Sequence, residues 1–291
     1  MYKNRQTGYL YAAPCILVLL LVLGFPLCYV IGLSFFKVEP MVSQKFIGLQ
    51  NYLYVLKDPV FWKSLGNTFV FTFWSVLFHL IVGMLVALLL NRAFRGRTLA
   101  RILLLLPWMM AYVVGAITWK WCLNGMYGIF NEILVRFGFL TRYFAWLGDP
   151  MTAMPMVVAA NIWKQYPYVM LMLLAGLQAV SREQYESAAI DGAGPWRSFW
   201  NITVPNMRVI IMITTTLDFI WSFKQFDLIY VMTGGGPGDA TEVLSTLIYK
   251  SFFSAFDFGY ASSSAVLLLL MVLVISSLYV WLASPRRNAN E

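Results

Sequence analysis

Two short stretches gather the side chains best suited to holding a polar molecule. One is NIWKQ, with Asn161, Trp163, Lys164 and Gln165; the other is LDFIWSFKQ, with Asp218, Trp221 and Gln225. Both set amides and a charge beside an indole face inside long apolar sequence. Amides and charges bond polar groups, and flat rings cover apolar faces, so the chemistry implied is binding rather than bond-making. Lys164 lies about ten residues, or about 15 Å, below the outer start of an apolar segment, and Asp218 about 20 Å up from the inner side of another. Across an apolar layer roughly 30 Å thick, their heights differ by only about 5 Å. Two arrangements satisfy such buried charges: an ion pair that locks two helices, or both groups turned into a solute pathway. The aromatic and amide residues around each favour the pathway.

Catalytic chemistry is poorly supported. His79 is the only histidine, with no acid or metal ligand near it in sequence, and a structural hydrogen-bonding role fits it better than a functional one. No HExxH, paired carboxylates or channel filter is present. Cys15, Cys28 and Cys122 have no metal spacing. The first two stand thirteen residues apart on one predicted helix, about 20 Å, beyond disulfide reach. MTGGGPGDAT is rich enough in glycine to require an irregular, mobile loop, yet no Gly-Lys-Ser/Thr follows to make it a phosphate-binding loop.

The elements that position these residues are membrane helices. The 291 residues are 60% hydrophobic and only 12% charged, against about 25% charged in a soluble domain. So much apolar surface cannot be hidden in one soluble core. Six segments are long enough to cross a bilayer, near 10–36, 66–90, 101–122, 154–178, 205–229 and 261–284. The first, from Tyr9, is about twice the length of a signal-peptide core, so it reads as a span, bent by Pro14 and Pro26. With the N-terminus inside, the inner connections hold Lys3, Arg5, Arg92, Arg95, Arg97, Arg101, Arg182, Arg197, Arg208, Arg286 and Arg287 against Glu183, Glu186, Asp191 and Glu291. That is a surplus of seven positive charges inside, and of one across the longer outer stretches. The net charge of +8 therefore follows membrane orientation, which argues against nucleic acid as a partner.

One polar, turn-rich interval, YESAAIDGAGPWRSFWNITVP (Tyr185 to Pro205), lies between the fourth and fifth spans. Ser181 is the expected N-cap with Gln184 closing a capping box, and Gln184 to Ile190 a short helix. Gly192 stands where a left-handed C-terminal glycine belongs. Gly194-Pro195 breaks the chain before a second short helix, Trp196 to Ile202. Pro205 then opens the next long helix. The expected fold is an all-α integral membrane protein, one transmembrane domain of six helices with a helix-turn-helix knob over 181–204 on the inner side.

Glu186, Ala188, Gly192, Ile202 and Pro205 also resemble the EAA loop of permease subunits in binding-protein-dependent ABC importers, E-A-A-x(3)-G-x(9)-I-x-L-P, with Ser187 and Val204 as conservative departures. TGGGPG after the fifth span and FDFGYAS before the sixth look like carbohydrate-uptake permeases similar to the maltose and glycerol-3-phosphate families. Some relatives carry a large extra outer domain, for which the outer segment 37–65 has no room. The resemblance implies a bacterial or archaeal cytoplasmic (inner) membrane, with both termini cytoplasmic. It implies a second, different permease subunit, two ATPase subunits that bind the ATP and Mg, and an extracytoplasmic solute-binding protein. This chain would hold no cofactor and catalyse nothing. Glu186 would supply a polar or ionic contact to the ATPase cleft, Ala188 and Ala189 close approach, and Gly192 the turn. A sugar or oligosaccharide is the expected solute, with a glycerol-3-phosphate-type or other polar solute as the alternative. An ion-coupled secondary transporter is the main rival, but it would show internal repeats and several intramembrane acids.

Overall fold

The computed structural model describes residues 5–39 and 43–283. Lys3, Arg286, Arg287 and Glu291, which entered the charge count, lie outside the described residues. Helix α1 (Arg5–Leu19) runs through a π turn (Leu20–Gly24) into α2 (Phe25–Leu33). A hairpin of β1 (Phe36–Glu39) and β2 (Ser43–Phe46) follows, pairing Phe36 with Phe46. Then come α3 (Gln50–Lys57), α4 (Pro59–Asn91), α5 (Arg97–Met109), α6 (Tyr112–Cys122), α7 (Ile129–Arg136), α8 (Pro150–Ala179) and α9 (Arg182–Ile190). Helix α10 (Pro195–Ser198) passes through a second π turn (Phe199–Thr203) into α11 (Val204–Phe223), before α12 (Asp227–Thr233), α13 (Leu244–Phe253) and α14 (Phe258–Ala283).

Among the described residues, three helices are long and apolar enough to cross a membrane: Ala13–Leu33, α4 and α14. Two broken pairs raise the number to five. Helices α5 and α6 meet at 93°, and Pro195–Phe223 meets α12 at 41°. The expected unbroken spans 101–122 and 205–229 are thus each two helices. Helix α8 has the length, 30 residues, but Asn161, Lys164 and Gln165 leave it less apolar than the others.

The two π turns share one cause. Proline has no N–H, and its ring crowds the carbonyl four residues back. The residue before each proline reaches one residue further instead: Phe25 N–H bonds Leu20 O ahead of Pro26, and Val204 N–H bonds Phe199 O ahead of Pro205. The helix widens locally and continues. The second short helix of the knob therefore runs straight into the following span, where the sequence suggested a separate element.

The chain divides into two compact units. One comprises the segments up to Trp62 and Leu247–Leu270. Here the FIGLQNY and FDFGYAS stretches meet. Asn51 Nδ2 donates to Ser34 O and Phe36 O at 2.9 and 3.0 Å. Gly259 sits so close that a Cβ would fall 2.7 Å from Asn51 Nδ2 and 2.8 Å from Phe36 O. Beside it, Asp257 Oδ1 accepts from Tyr260 N–H and caps α14, while Tyr260 OH donates to Asp58 at 2.6 Å. The other unit comprises Lys63–Thr246 and the chain from Met271. Its axis is α8, whose buried face packs between α4 and α11 through Val169, Met170, Leu173, Leu177 and Met207. Gly83 admits α8 to α4, and Gly176 admits α11 to α8.

Candidate functional site

The break between α5 and α6 builds the first half of the polar interior. Met110 and Ala111 are extended, with ψ of 151° and 145°. Helix α5 therefore ends with carbonyls that no later turn can bond, at the negative end of its dipole. Lys164 reaches across from α8, and its Nζ donates to Trp108 O at 2.8 Å. The ammonium also lies 4.5 Å from the centre of the Tyr112 ring, a cation–π contact. Tyr112 OH in turn donates to Gln165 Oε1 at 2.9 Å. Aromatic rings wall this group: Tyr168 packs against Trp108 and Trp221, and Trp163 lies edge-on to Trp119.

The second half is a link between α4, α8 and α11. His79 Nδ1 lies 2.9 Å from Asp218 Oδ2, and His79 Nε2 lies 3.2 Å from Asn161 O. His79, Asn161, Lys164 and Asp218 are all at most 2% exposed. Lys164 and Asp218 do not bond one another. The ion-paired lock between them is replaced by two separate partnerships, because the α5 carbonyl end takes the cation and His79 takes the carboxylate. On α4, Ser64, Thr68, Thr72, Ser75 and His79 recur every three or four residues and are all buried, a polar stripe turned into the protein. Gln225 is buried beyond the end of α11 with its amide nitrogen unbonded.

Sequence reasoning missed Tyr112, Trp108 and Tyr168. Their one signal was position, since each falls within a few residues of Pro107 or Pro167. The partner of His79 was hidden by 139 residues of separation. The glycine-rich loop is irregular as expected, yet it is tied down. Lys63 Nζ donates to Gly238 O at 2.8 Å, Asn67 Nδ2 donates to Asp239 O and Glu242 O, and the Thr233 and Thr241 hydroxyls bond at 2.6 Å.

The knob between α8 and α11 closes on itself. Ser181 Oγ accepts from Glu183 N–H, so α9 begins at Arg182, one half-turn earlier than expected. Gln184 forms no capping box; its Oε1 accepts from Asn206 Nδ2 at 2.8 Å. Gly192 has φ +74°, and Ala193 N–H then bonds back to Ala188 O at 2.8 Å, a left-handed helix stop. The hydroxyls of Tyr185 and Thr203 join the two arms at 2.9 Å. Glu186, Ala189, Gly192 and Pro205 are exposed, while Ala188 and Ile202 are half-buried and line a small pocket of about 190 Å³. At the tip Ile190 is 86% and Trp196 75% exposed.

A third feature is the loop 123–149. Buried Asn131 binds it together: Nδ2 donates to Asn124 O and Phe144 O, and Oδ1 accepts from Phe144 N–H and Trp146 Nε1. Next to it, Glu132 accepts from Tyr143 OH and from Arg136. The Tyr143 hydrogen bond first, and Arg136 second, hold the Glu132 carboxyl below the usual range and, reciprocally, Glu132 raises the Tyr143 hydroxyl.

The long apolar helices leave large hydrophobic side chains exposed, while Asn161, Lys164, Gln165 and Asp218 are turned inward. Residues 68–288 match the family described as binding-protein-dependent transport system inner membrane component. The chain belongs to that family and is a non-catalytic permease subunit of an ABC importer, in which a separate ATPase hydrolyses ATP. It is 36% identical over 288 residues to a trehalose/maltose transport system permease protein of Thermococcus litoralis, covering 99% of this chain and 97% of that one. It is 33% identical over 279 residues to a sulfoquinovosyl glycerol transport system permease protein of Agrobacterium fabrum, covering 95% and 90%. The fold is shared with a bacterial ABC transporter that imports alginate, at TM-score 0.83 and 24% identity, covering 98% of this chain and 97% of that one. A second structure of an alginate transporter, bound to a periplasmic protein carrying an alginate pentasaccharide, superposes at TM-score 0.82 and 23% identity, covering 96% and 94%.

Proposed function

We propose that this permease carries a sugar or oligosaccharide, handed over by an extracytoplasmic solute-binding protein, and that it works beside a second, different permease above two ATPase subunits that bind ATP and Mg. The relatives named for trehalose/maltose and sulfoquinovosyl glycerol support the solute class. Helix α8 serves as the sixth crossing, since 30 residues extend about 45 Å. Both termini then lie in the cytoplasm, and the knob with them. The solute pathway runs along the aromatic and amide faces of α8 and α11, with Asn161, Trp163, Lys164, Gln165, Trp221 and Gln225 as its polar wall. Indole and phenol rings cover the apolar faces of a sugar while amides and the ammonium bond its hydroxyls.

The observation that carries the energy-coupling half of this reading is the exposed tip formed by Ile190 and Trp196 on a self-closed, polar-footed knob. Large apolar groups presented on a rigid turn are docking groups. Glu186 would make a polar or ionic contact in the ATPase cleft, and Ala188, Ala189 and Gly192 would allow close approach. Rigid-body motion of the ATPases is then carried through α10 and its π turn into α11 without a loose joint. The test is Gly192→Val with Ile190→Asp alongside it. Both variants should assemble poorly with the ATPase, or hydrolyse ATP without uptake. Full coupling in both would refute the assignment. A stable, transporting complex of this permease and ATPase alone would refute the requirement for a different permease.

A further inference from the structure

Both ring nitrogens of His79 face oxygen atoms that accept. Nδ1 faces the Asp218 carboxyl at 2.9 Å and Nε2 faces the Asn161 carbonyl at 3.2 Å. A neutral imidazole carries one N–H, so with an ionised Asp218 one of these contacts would set a lone pair against an oxygen. Adding one proton removes the conflict in either of two ways. His79 becomes an imidazolium that donates to both oxygens, or Asp218 becomes an acid that donates to Nδ1 while Nε2–H donates to Asn161 O. The two forms hold the same number of protons and the same net charge, zero.

The surroundings demand that neutrality. Asp218 is 1% and His79 0% exposed, and a lone carboxylate there would be very costly. Among the described residues, no other cation lies within ion-pair distance of it. The Lys164 ammonium on α8 is bonded to Trp108 O. The hydroxyls of Tyr112 on α6 and Tyr168 on α8 also lie near Asp218 and bring no positive charge, and Asp227 on α12, which acts on Tyr112 together with Asp218, adds only negative charge. On α11 itself the polar neighbours one turn away are Thr214, whose buried hydroxyl is unbonded, and buried Ser222, both uncharged.

We propose that His79 and Asp218 form a buried proton-binding site, holding one proton as a net-neutral clasp that ties α4 and α11 to the backbone of α8. The clasp takes Asp218 out of the solute-binding set and makes His79 a positioning residue for the three helices. The inference stands whatever the solute is.

The test uses the full chain assembled with its partner subunits. His79→Gln removes the base that shares the proton, so Asp218 must stay ionised without a countercharge or bind the proton alone, and the apparent Tm should fall, by up to roughly 10 °C in the ionised case. Asp218→Asn keeps the zero charge and both hydrogen bonds, its amide donating to Nδ1, so Tm and uptake should stay near those of the unsubstituted protein. The double variant His79→Gln/Asp218→Asn should recover most of the stability lost in His79→Gln. Asp218→Asn as damaging as His79→Gln, or a double variant no better than that single one, would overturn the proposal. Because the chain has one histidine, ¹⁵N-histidine labelling of this subunit alone gives a second reading. Two protonated nitrogens, or a protonated Nε2 with Nδ1 accepting from a protonated Asp218, support the clasp. A bare Nε2, or an ionised Asp218 beside a neutral ring, overturns it.

Discussion

Replacing Gly83 by alanine probes the contact on which the polar interior depends. A Cβ at Gly83 would lie 2.9 Å from Val169 Cγ1 and 3.0 Å from Met170 N. Carbon atoms in good contact stand about 3.5 Å or more apart, so the overlap with Val169 is about 0.6 Å. One obstacle is a backbone atom of α8, which no rotamer change removes, and α4 and α8 must part. Overpacking of this kind costs about 1–3 kcal/mol, against about 1 kcal/mol gained in helix propensity. The backbone obstacle places the cost near its upper end, for a net loss of about 1–2 kcal/mol. Two further glycines calibrate the number. At Gly176 the nearest atoms are Ile210 Cγ2 at 3.0 Å and Met207 Cε at 3.2 Å; the methionine end can give but the β-branched Ile210 is stiff, and with no backbone atom in the way alanine there should cost less than at Gly83 and more than at Gly66. At Gly66 nothing lies within 4 Å, and alanine should stabilise by about 0.5–1 kcal/mol. Thermal unfolding of the three purified variants should therefore rank Gly66→Ala above Gly176→Ala above Gly83→Ala. Gly83→Ala should also weaken the His79–Asp218 bond one turn away. If it were as stable as Gly66→Ala, α4 would not pack on α8 through this glycine, and the arrangement of the interior would be wrong.

Further outcomes follow from other contacts. Asn131→Ala removes four hydrogen bonds of a buried amide and should cost about 2–4 kcal/mol, seen as rapid proteolysis within 123–149. The depressed Glu132 carboxyl contributes its stabilisation at neutral pH and loses it as pH falls through its lowered value, so hydrogen exchange in the same loop should quicken only below the ordinary carboxylate range; unchanged exchange there would contradict the Tyr143 and Arg136 contacts. Lys164→Met removes a buried charge together with its partner contacts, and should change Tm little while uptake falls at least tenfold; a full loss of Tm with it would mean that Lys164 holds the helices rather than the solute.

Much of the site was legible in local sequence. The left-handed turn at Gly192 needed only a glycine at the end of a helical period, and the Ser181 cap only a hydroxyl before one. Residues separated by the whole fold were not legible. His79 and Asp218 are adjacent in space but 139 residues apart, and no local pattern joins them. The broken spans were hidden for another reason. Hydropathy averages over a window in which 101–122 and 205–229 each come out apolar, so it is blind to a 93° bend at two extended residues. That break is what frees the Trp108 carbonyl and gives Lys164 a partner other than Asp218. The π turns precede Pro26 and Pro205, but Pro14, Pro155 and Pro167 lie in continuous α-helix, so a proline in the sequence does not by itself mark such a turn.

Uptake by the reconstituted complex tests the account most directly. Proteoliposomes containing this chain, its permease partner and the ATPase subunits would be given the solute-binding protein loaded with labelled sugar. The account predicts accumulation that needs ATP and the binding protein and persists when ion gradients are collapsed. Accumulation driven by an ion gradient without ATP would contradict it.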